Sequence, residues 1–246
     1  MKNLLWFGAI LLLSGGLSEL HAQRNQPIYP AYDGFLKNPD GSYTLSFGYF
    51  SHNAELVTIQ PGAENSFAPP PGDRMQPVTF KPGQQRFQCV MVVNPDFDGK
   101  MRWTLTYAGT TTGTSERMLQ SNWNLVEGAA DLGRLDLKNA PRGVCLNRAP
   151  TVRLLGRTAR KGEVSIDAKT TEELHLFGSV NDEGLPRGRQ LTIEWKTLKG
   201  PGTVTFSNPR AARTRATFTT PGTYELELTA TDSEFTTTLR VIAKVT

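Results

Sequence analysis

Beyond residue 22 the chain carries two histidines, His52 and His175, and two cysteines, Cys89 and Cys145. Zinc needs three or four converging ligands, most often imidazole or thiolate. Two histidines so far apart, with two cysteines better suited to pairing with each other, do not predict such a centre. A Ser-His-Asp hydrolase would use one histidine as its base, but no Gly-x-Ser-x-Gly elbow is present. Phosphate-cradling glycine loops ahead of a helix are missing as well. Paired carboxylates can cleave glycosides, and Asp96 and Asp98 are the nearest pair in the first half. Asp98-Gly99 reads better as a turn, and alternation would set both acids on one side of any strand. The expectation is a chain without catalytic residues, metal or cofactor, with a secreted hydrolase using carboxylates as an alternative.

Other residues could bind rather than react. Asn181, Asp182, Glu183 and Asp232 could gather oxygens between loops for calcium, which takes six to eight of them; hydrogen-bonded turns without metal are the favoured reading. Tyr29 and Tyr32 lie in a proline-flanked stretch, and Tyr49, Phe50 and Trp123 are further candidates for a surface. Exposed rings stack on sugars or anchor a protein partner, although they also pack beneath loops. Arg153, Arg157, Arg160 and Lys161 crowd one short segment with Arg148, and Arg210, Arg213 and Arg215 form a second group. Such groups can dock acidic polymers, but a solvated face is the commoner outcome. Residues 147–246 hold 15 Lys and Arg against 11 Asp and Glu, while residues 23–146 hold 11 of each, so the excess lies in the second half. That mild basicity, without a groove-reading motif, argues against nucleic acid.

The start of the chain reads as an address. Lys2 precedes the apolar run Leu4 to Leu13, and small residues follow up to Ala22, the order of a secretory signal peptide. The run is far shorter than the roughly 20 residues a spanning helix needs. Cleavage after Ala22 would leave residues 23–246 exported, periplasmic or extracellular, with no transmembrane segment. Export also suits a disulfide. Cys89 and Cys145 would close a loop on the order of 4 kcal/mol in chain entropy, with two buried free thiols as the alternative.

The elements that must position these residues alternate with period two. Tyr43, Leu45, Phe47 and Tyr49 share one face, as do Phe87, Cys89, Met91 and Val93, and Met101, Trp103, Leu105 and Tyr107. Side chains on a strand point alternately to opposite faces. In the second half Leu191, Ile193 and Trp195, then Tyr224, Leu226, Leu228 and Ala230, then Leu239, Val241, Ala243 and Val245 repeat the pattern. Asn38-Pro39-Asp40-Gly41 and Asp98-Gly99 supply turns, and Pro69-Pro70-Pro71-Gly72 reads as an exposed loop. Only Ser115 to Gly133 is compatible with a short helix. Short antiparallel strands with one wet face must bury the other against a second sheet. The fold class is therefore all-β: two sandwich-like domains in tandem, residues 23–146 and 147–246.

The second half carries an ordered series: Asn147-Arg148-Ala149-Pro150, Gly178 through Pro186, Trp195, Gly200-Pro201-Gly202, Gly222-Thr223-Tyr224 and Leu228 through Asp232. This series resembles PKD-like, immunoglobulin-type domains of exported proteins, although the Trp-Asp-Phe-Gly-Asp-Gly run of the archetype is absent. The resemblance implies a β-sandwich with Trp195 and Tyr224 inside, acting as a spacer or adhesive module. Residues 23–146 are more loosely similar to N-terminal regions of exported bacterial proteins without an assigned activity, through Asn38-Pro39-Asp40-Gly41, Pro95-Asp96-Phe97 and Trp103-Thr104-Leu105-Thr106. The functional expectation is a structural or interaction protein of the envelope or exterior, touching protein or polysaccharide; a carbohydrate-binding accessory protein is the second alternative.

Overall fold

A computed structural model describes residues 25–125, 135–160 and 162–246; the expected signal peptide and Lys161 lie outside them. The first sandwich sets the sheet β1 (Ile28–Lys37), β2 (Tyr43–Ser51) and β6 (Gly83–Val93) against β4 (Asn65–Ala68), β7 (Arg102–Tyr107) and β8 (Thr110–Gly113). A two-stranded ribbon of β3 (Val57–Thr58) and β5 (Thr79–Phe80) completes it. The alternating residues meet where expected: Leu45, Phe47, Tyr49, Cys89, Met91, Trp103 and Leu105 share one core. Trp103 lies against Phe67 in a stacked pair at 5.7 Å. Its indole Nε1 donates to Asn65 Oδ1 at 2.9 Å, satisfying a buried donor that would otherwise cost about 1–3 kcal/mol.

One strand departs from simple alternation. Phe87 has a φ of 57° and lies at a register shift between β2 and β6. The extra residue turns its ring to the opposite face, where it packs with Val90, Leu36, Leu125 and Leu135 instead of joining Cys89. This corrects the expectation that Phe87 shares the Cys89 face, because a bulge inverts the side on which preceding residues fall. Gly48 stands at the shift; a Cβ there would come within 2.4 Å of the Gln85 carbonyl oxygen. The carboxylate of Asp33 fills the gap, accepting the Phe87 amide at 2.8 Å and Arg86 Nε at 3.2 Å.

Between Ser115 and Gly133 the described helical structure is one 3-10 turn, Ser121–Trp123. Cys89 and Cys145 are disulfide-bonded across 56 residues. The bond ties β6 to the segment that leaves the first sandwich, and the amides of Gly143 and Leu146 donate to the carbonyls of Val92 and Val90 at 2.8 Å.

The second sandwich has four strands in each sheet. One is ordered β10 (Glu163–Ala168), β16 (Thr236–Val245), β15 (Gly222–Thr231), β12 (Thr192–Lys199). The other is ordered β13 (Val204–Phe206), β14 (Arg213–Phe218), β11 (Leu174–Asn181), β9 (Thr151–Leu154). β10 runs parallel to β16, and every other pairing is antiparallel. Trp195 and Tyr224 fill the core with Leu176, Leu226, Leu228 and Val241. Trp195 Nε1 donates to the Ala212 carbonyl at 3.0 Å, and the Tyr224 hydroxyl donates back to Thr220 at 2.6 Å. The second bond is the tyrosine corner that fixes the start of a strand in immunoglobulin-type sandwiches. Gly200 lets that ring in: a Cβ there would meet Tyr224 Cδ1 at 2.1 Å.

Candidate functional site

Strand alternation divides the aromatic candidates. Tyr29 and Phe50 are cross-strand partners on β1 and β2 and both point outward, 45% and 40% exposed. The exposed His52 meets Tyr29 edge-on at 5.7 Å and Phe50 at 4.6 Å. Tyr32 and Tyr49 face inward, 6% and 2% exposed, which corrects the expectation of a surface role for them. Tyr32 packs on Phe47 and Trp123, and burial pushes its hydroxyl far above the ordinary tyrosine range. Tyr49 lies edge-on to Phe80, and its hydroxyl accepts the Lys81 amide at 2.8 Å. Burial raises that hydroxyl to about 12, against the opposing pull of the Lys81 amide. Trp123 is half-buried as a lid over Tyr32, so it does not join the outward group. The resulting candidate surface is Tyr29, Phe50 and His52.

His175 lies on the second sandwich, stacked at 5.9 Å on the exposed Phe177, so the histidines belong to different surfaces. Arg153, Arg157 and Arg160 are exposed, as a solvated face would have them. Arg215 pairs with Glu173 at 3.0 Å. Asp96 and Asp98 border an open depression of about 250 Å³ with Arg74, Lys100 and Arg142. Asp98 accepts the Lys100 amide at 2.9 Å, making the turn expected of it. The two terminal nitrogens of Arg74 donate to the carbonyls of Gly143 and Pro69 at 2.7 and 3.0 Å.

The remaining candidates meet where the two sandwiches join. Asp182 caps its own turn by accepting the Gly184 amide at 2.8 Å. Asp232 does the same for Glu234 and Phe235 at 2.8 and 2.6 Å. Such local carboxylate-to-amide bonds hold loops in a single form. Glu183 is buried and accepts the Arg148 amide at 2.6 Å, with the Arg148 guanidinium at 3.3 Å. Burial pushes its carboxyl up to about 7 despite the attraction of Arg148; ionising it therefore costs folding stability as pH rises from the ordinary glutamate range toward 7. Burial raises Asp182 too, with the nearby Asp232 charge adding to the effect. Asn181 is exposed at the end of β11. Among the described residues no three His, Cys, Asp or Glu side chains converge as a metal-binding group.

Beyond these candidates, the residues that pin this junction are Leu185 and Arg187. Leu185 is buried in the core of the first sandwich although it belongs to the loop after β11 of the second. Arg187 grips Asp73 at 2.8 and 2.9 Å and the Gln76 carbonyl at 2.8 and 3.1 Å. An apolar residue beside a proline in a polar loop, Leu185-Pro186, was the available signal.

Residues 163–242 match the family model described as K319L-like, PKD domain. Among solved structures, a Drosophila N-cadherin EC1-3 structure is similar at 12% identity, covering 91% of this chain and 68% of that one, with a TM-score of 0.31. Tandem Ig repeats of Dlar are similar at 8% identity, covering 91% and 99%, with a TM-score of 0.27. An endo-fucoidan hydrolase from glycoside hydrolase family 107 is similar at 10% identity, covering 90% of this chain and 29% of that one, with a TM-score of 0.29. The match at residues 163–242 falls on the second sandwich, which is a PKD/Ig-like β-sandwich. No described helix is long and apolar enough to cross a membrane.

Proposed function

We propose that this chain, with its PKD/Ig-like sandwich, is an exported, non-catalytic interaction protein of the cell envelope or exterior, cut after Ala22 and divided at residue 147. Its contact surface is the group Tyr29, Phe50 and His52. One observation carries the reading: two aromatic side chains paired across strands stand outward on a rigid sheet, while neighbouring aromatics on the same strands are buried. Outward rings held by strand pairing lose little entropy on binding and are the usual anchors of protein contacts. The disulfide and the PKD-like match support export.

A protein partner is the first reading, because the imidazole of His52 meets both rings edge-on and gives the aromatic surface a hydrogen-bonding group of the kind protein contacts use. Co-sedimentation of the purified chain with envelope material from its own cells tests this. The double variant Tyr29→Ala, Phe50→Ala should bind about 30-fold more weakly and keep its melting temperature. Retention on purified insoluble polysaccharide, lost in the same variant, would instead establish the carbohydrate-binding reading. Turnover of a glycoside abolished by Asp96→Ala would establish the hydrolase.

A further inference from the structure

The two sheets of the second sandwich turn different faces to solvent. In β10, β12, β15 and β16 every base stands opposite an acid in the ladder: Lys196 opposite Glu227, Lys199 opposite Glu225, Arg240 opposite Glu163 and Lys244 opposite Asp167. The first three are closed ion pairs at 3.1, 3.2 and 3.3 Å. Strands β9, β11, β13 and β14 hold Arg153, Arg213 and Arg215 and no acid at all. All three arginines are exposed. Among the described residues only Arg215 has an acidic partner, the Glu173 that precedes β11. Arg215 stands opposite His175 and Arg213 opposite Phe177, while Arg153 stands opposite Ser179 on the other side of β11. Arg213 and Arg215 share one face of their strand, about 7 Å apart along it.

The same face carries large apolar side chains. Phe177 is 50% exposed and stacked on His175. One position beyond the last β9–β11 pair, Leu155 gives its amide to the Phe177 carbonyl at 2.9 Å and is itself 47% exposed. A row of Leu155, Phe177 and Arg213 therefore crosses the sheet. A surface built only for solvation mixes both signs of charge and shows its large apolar groups singly. Uncompensated arginines around an apolar pair suit a membrane interface instead. Guanidinium groups bond phosphate oxygens in pairs, and aromatic and aliphatic side chains enter the headgroup boundary. We propose that this face, through Arg153, Leu155, Phe177, Arg213 and Arg215, docks the second sandwich onto an anionic phospholipid surface. A soluble polyanion would use the arginines, but Leu155 offers it neither a ring to stack on nor a donor. The inference stands independently of Tyr29, Phe50 and His52, which belong to the other sandwich.

Flotation of the purified, exported chain (residues 23–246) with phosphatidylcholine vesicles holding roughly one-third phosphatidylglycerol tests this. The chain should float with them at low salt, stay behind with pure phosphatidylcholine, and release as the salt approaches about 1 M. Arg153→Gln with Arg213→Gln should weaken binding about 25-fold. The same loss of charge on the opposite sheet, Lys199→Gln with Lys244→Gln, should change it by less than about twofold. Leu155→Ala with Phe177→Ala keeps every charge and should weaken binding about tenfold. All six of these side chains are exposed, so each variant should melt within about 2 °C of the parent. No flotation, or equal flotation with and without phosphatidylglycerol, would overturn the proposal. So would equal losses from the two charge pairs. Vesicle binding undiminished in the Leu155, Phe177 variant, with dextran sulfate displacing the vesicles, would assign the face to a soluble polyanion and overturn the lipid reading.

Discussion

The two sandwiches reach the same architecture by different means. In the second, the buried set is almost entirely apolar, and its buried polar residues apart from Thr214 are Asp182, Glu183 and Asp232 at the junction. The first buries Asn38, Ser42, Thr44, Ser46, Asn65 and Gln76 among its strands and turns and adds the cross-link. Asn65 alone donates to the carbonyls of Ile59 and Pro77 at 3.1 and 2.8 Å while accepting from Trp103. The second sandwich holds with one register shift in its named pairings, between Thr197 and Lys199 of β12. The first has a shift on each side of β2 and a ribbon of two-residue strands, and there side-chain hydrogen bonds and a covalent tie add what the ladder lacks.

This contrast can be broken experimentally. The largest effect should come from Cys89→Ala with Cys145→Ala. It removes about 4 kcal/mol from the first sandwich in the chain-entropy account and should split a single denaturation transition into two, followed by tryptophan fluorescence. Asn65→Ala should cost about 3 kcal/mol, because it orphans three buried groups at once; hydrogen exchange should show the loss confined to the first sandwich. Tyr224→Phe should cost about 1 kcal/mol by deleting the bond to Thr220, read as a lower denaturation midpoint of the second sandwich alone.

The smallest effect belongs to the junction pair Asp73–Arg187. The Arg187 hydrogen bond holds the Asp73 carboxyl below its ordinary value. Its contribution is therefore present above the ordinary aspartate range and is lost as pH falls through the lowered value. Asp73 is half exposed, so solvent screening limits the pair to about 0.5 kcal/mol. Asp73→Asn should remove that acid-side slope in a pH series of denaturation midpoints and leave stability near pH 7 within that margin.

Much of this was legible in local pattern. The alternation at Met101, Trp103 and Leu105 and along β15 and β16 named core faces, Asp182 and Asp232 could be read as turn braces, and the two cysteines could be read as a pair. Pattern was also enough, read strictly, to separate the aromatics: residues 29 and 32 are three apart on one strand and 49 and 50 are neighbours, so each pair must point to opposite faces. What local pattern could not supply was long-range. The bulge that turns Phe87 away depends on how β6 registers against β2 and on the Asp33 carboxylate that fills the gap. Leu185 is apolar in a polar loop for a reason found only in the core of the other sandwich, and Glu183 is buried where the distant Arg148 segment meets its turn.

The central claim is that this molecule works by contact through the outward rings of its first sheet. Its most direct test is a photo-crosslinking side chain placed at Tyr29 in cells producing the chain, with position 32 as the buried control. The account predicts a discrete covalent adduct with an envelope protein from position 29, lost when Phe50 is replaced by alanine, and none from position 32. Equal, diffuse labelling from both positions, or an adduct indifferent to Phe50, would contradict it.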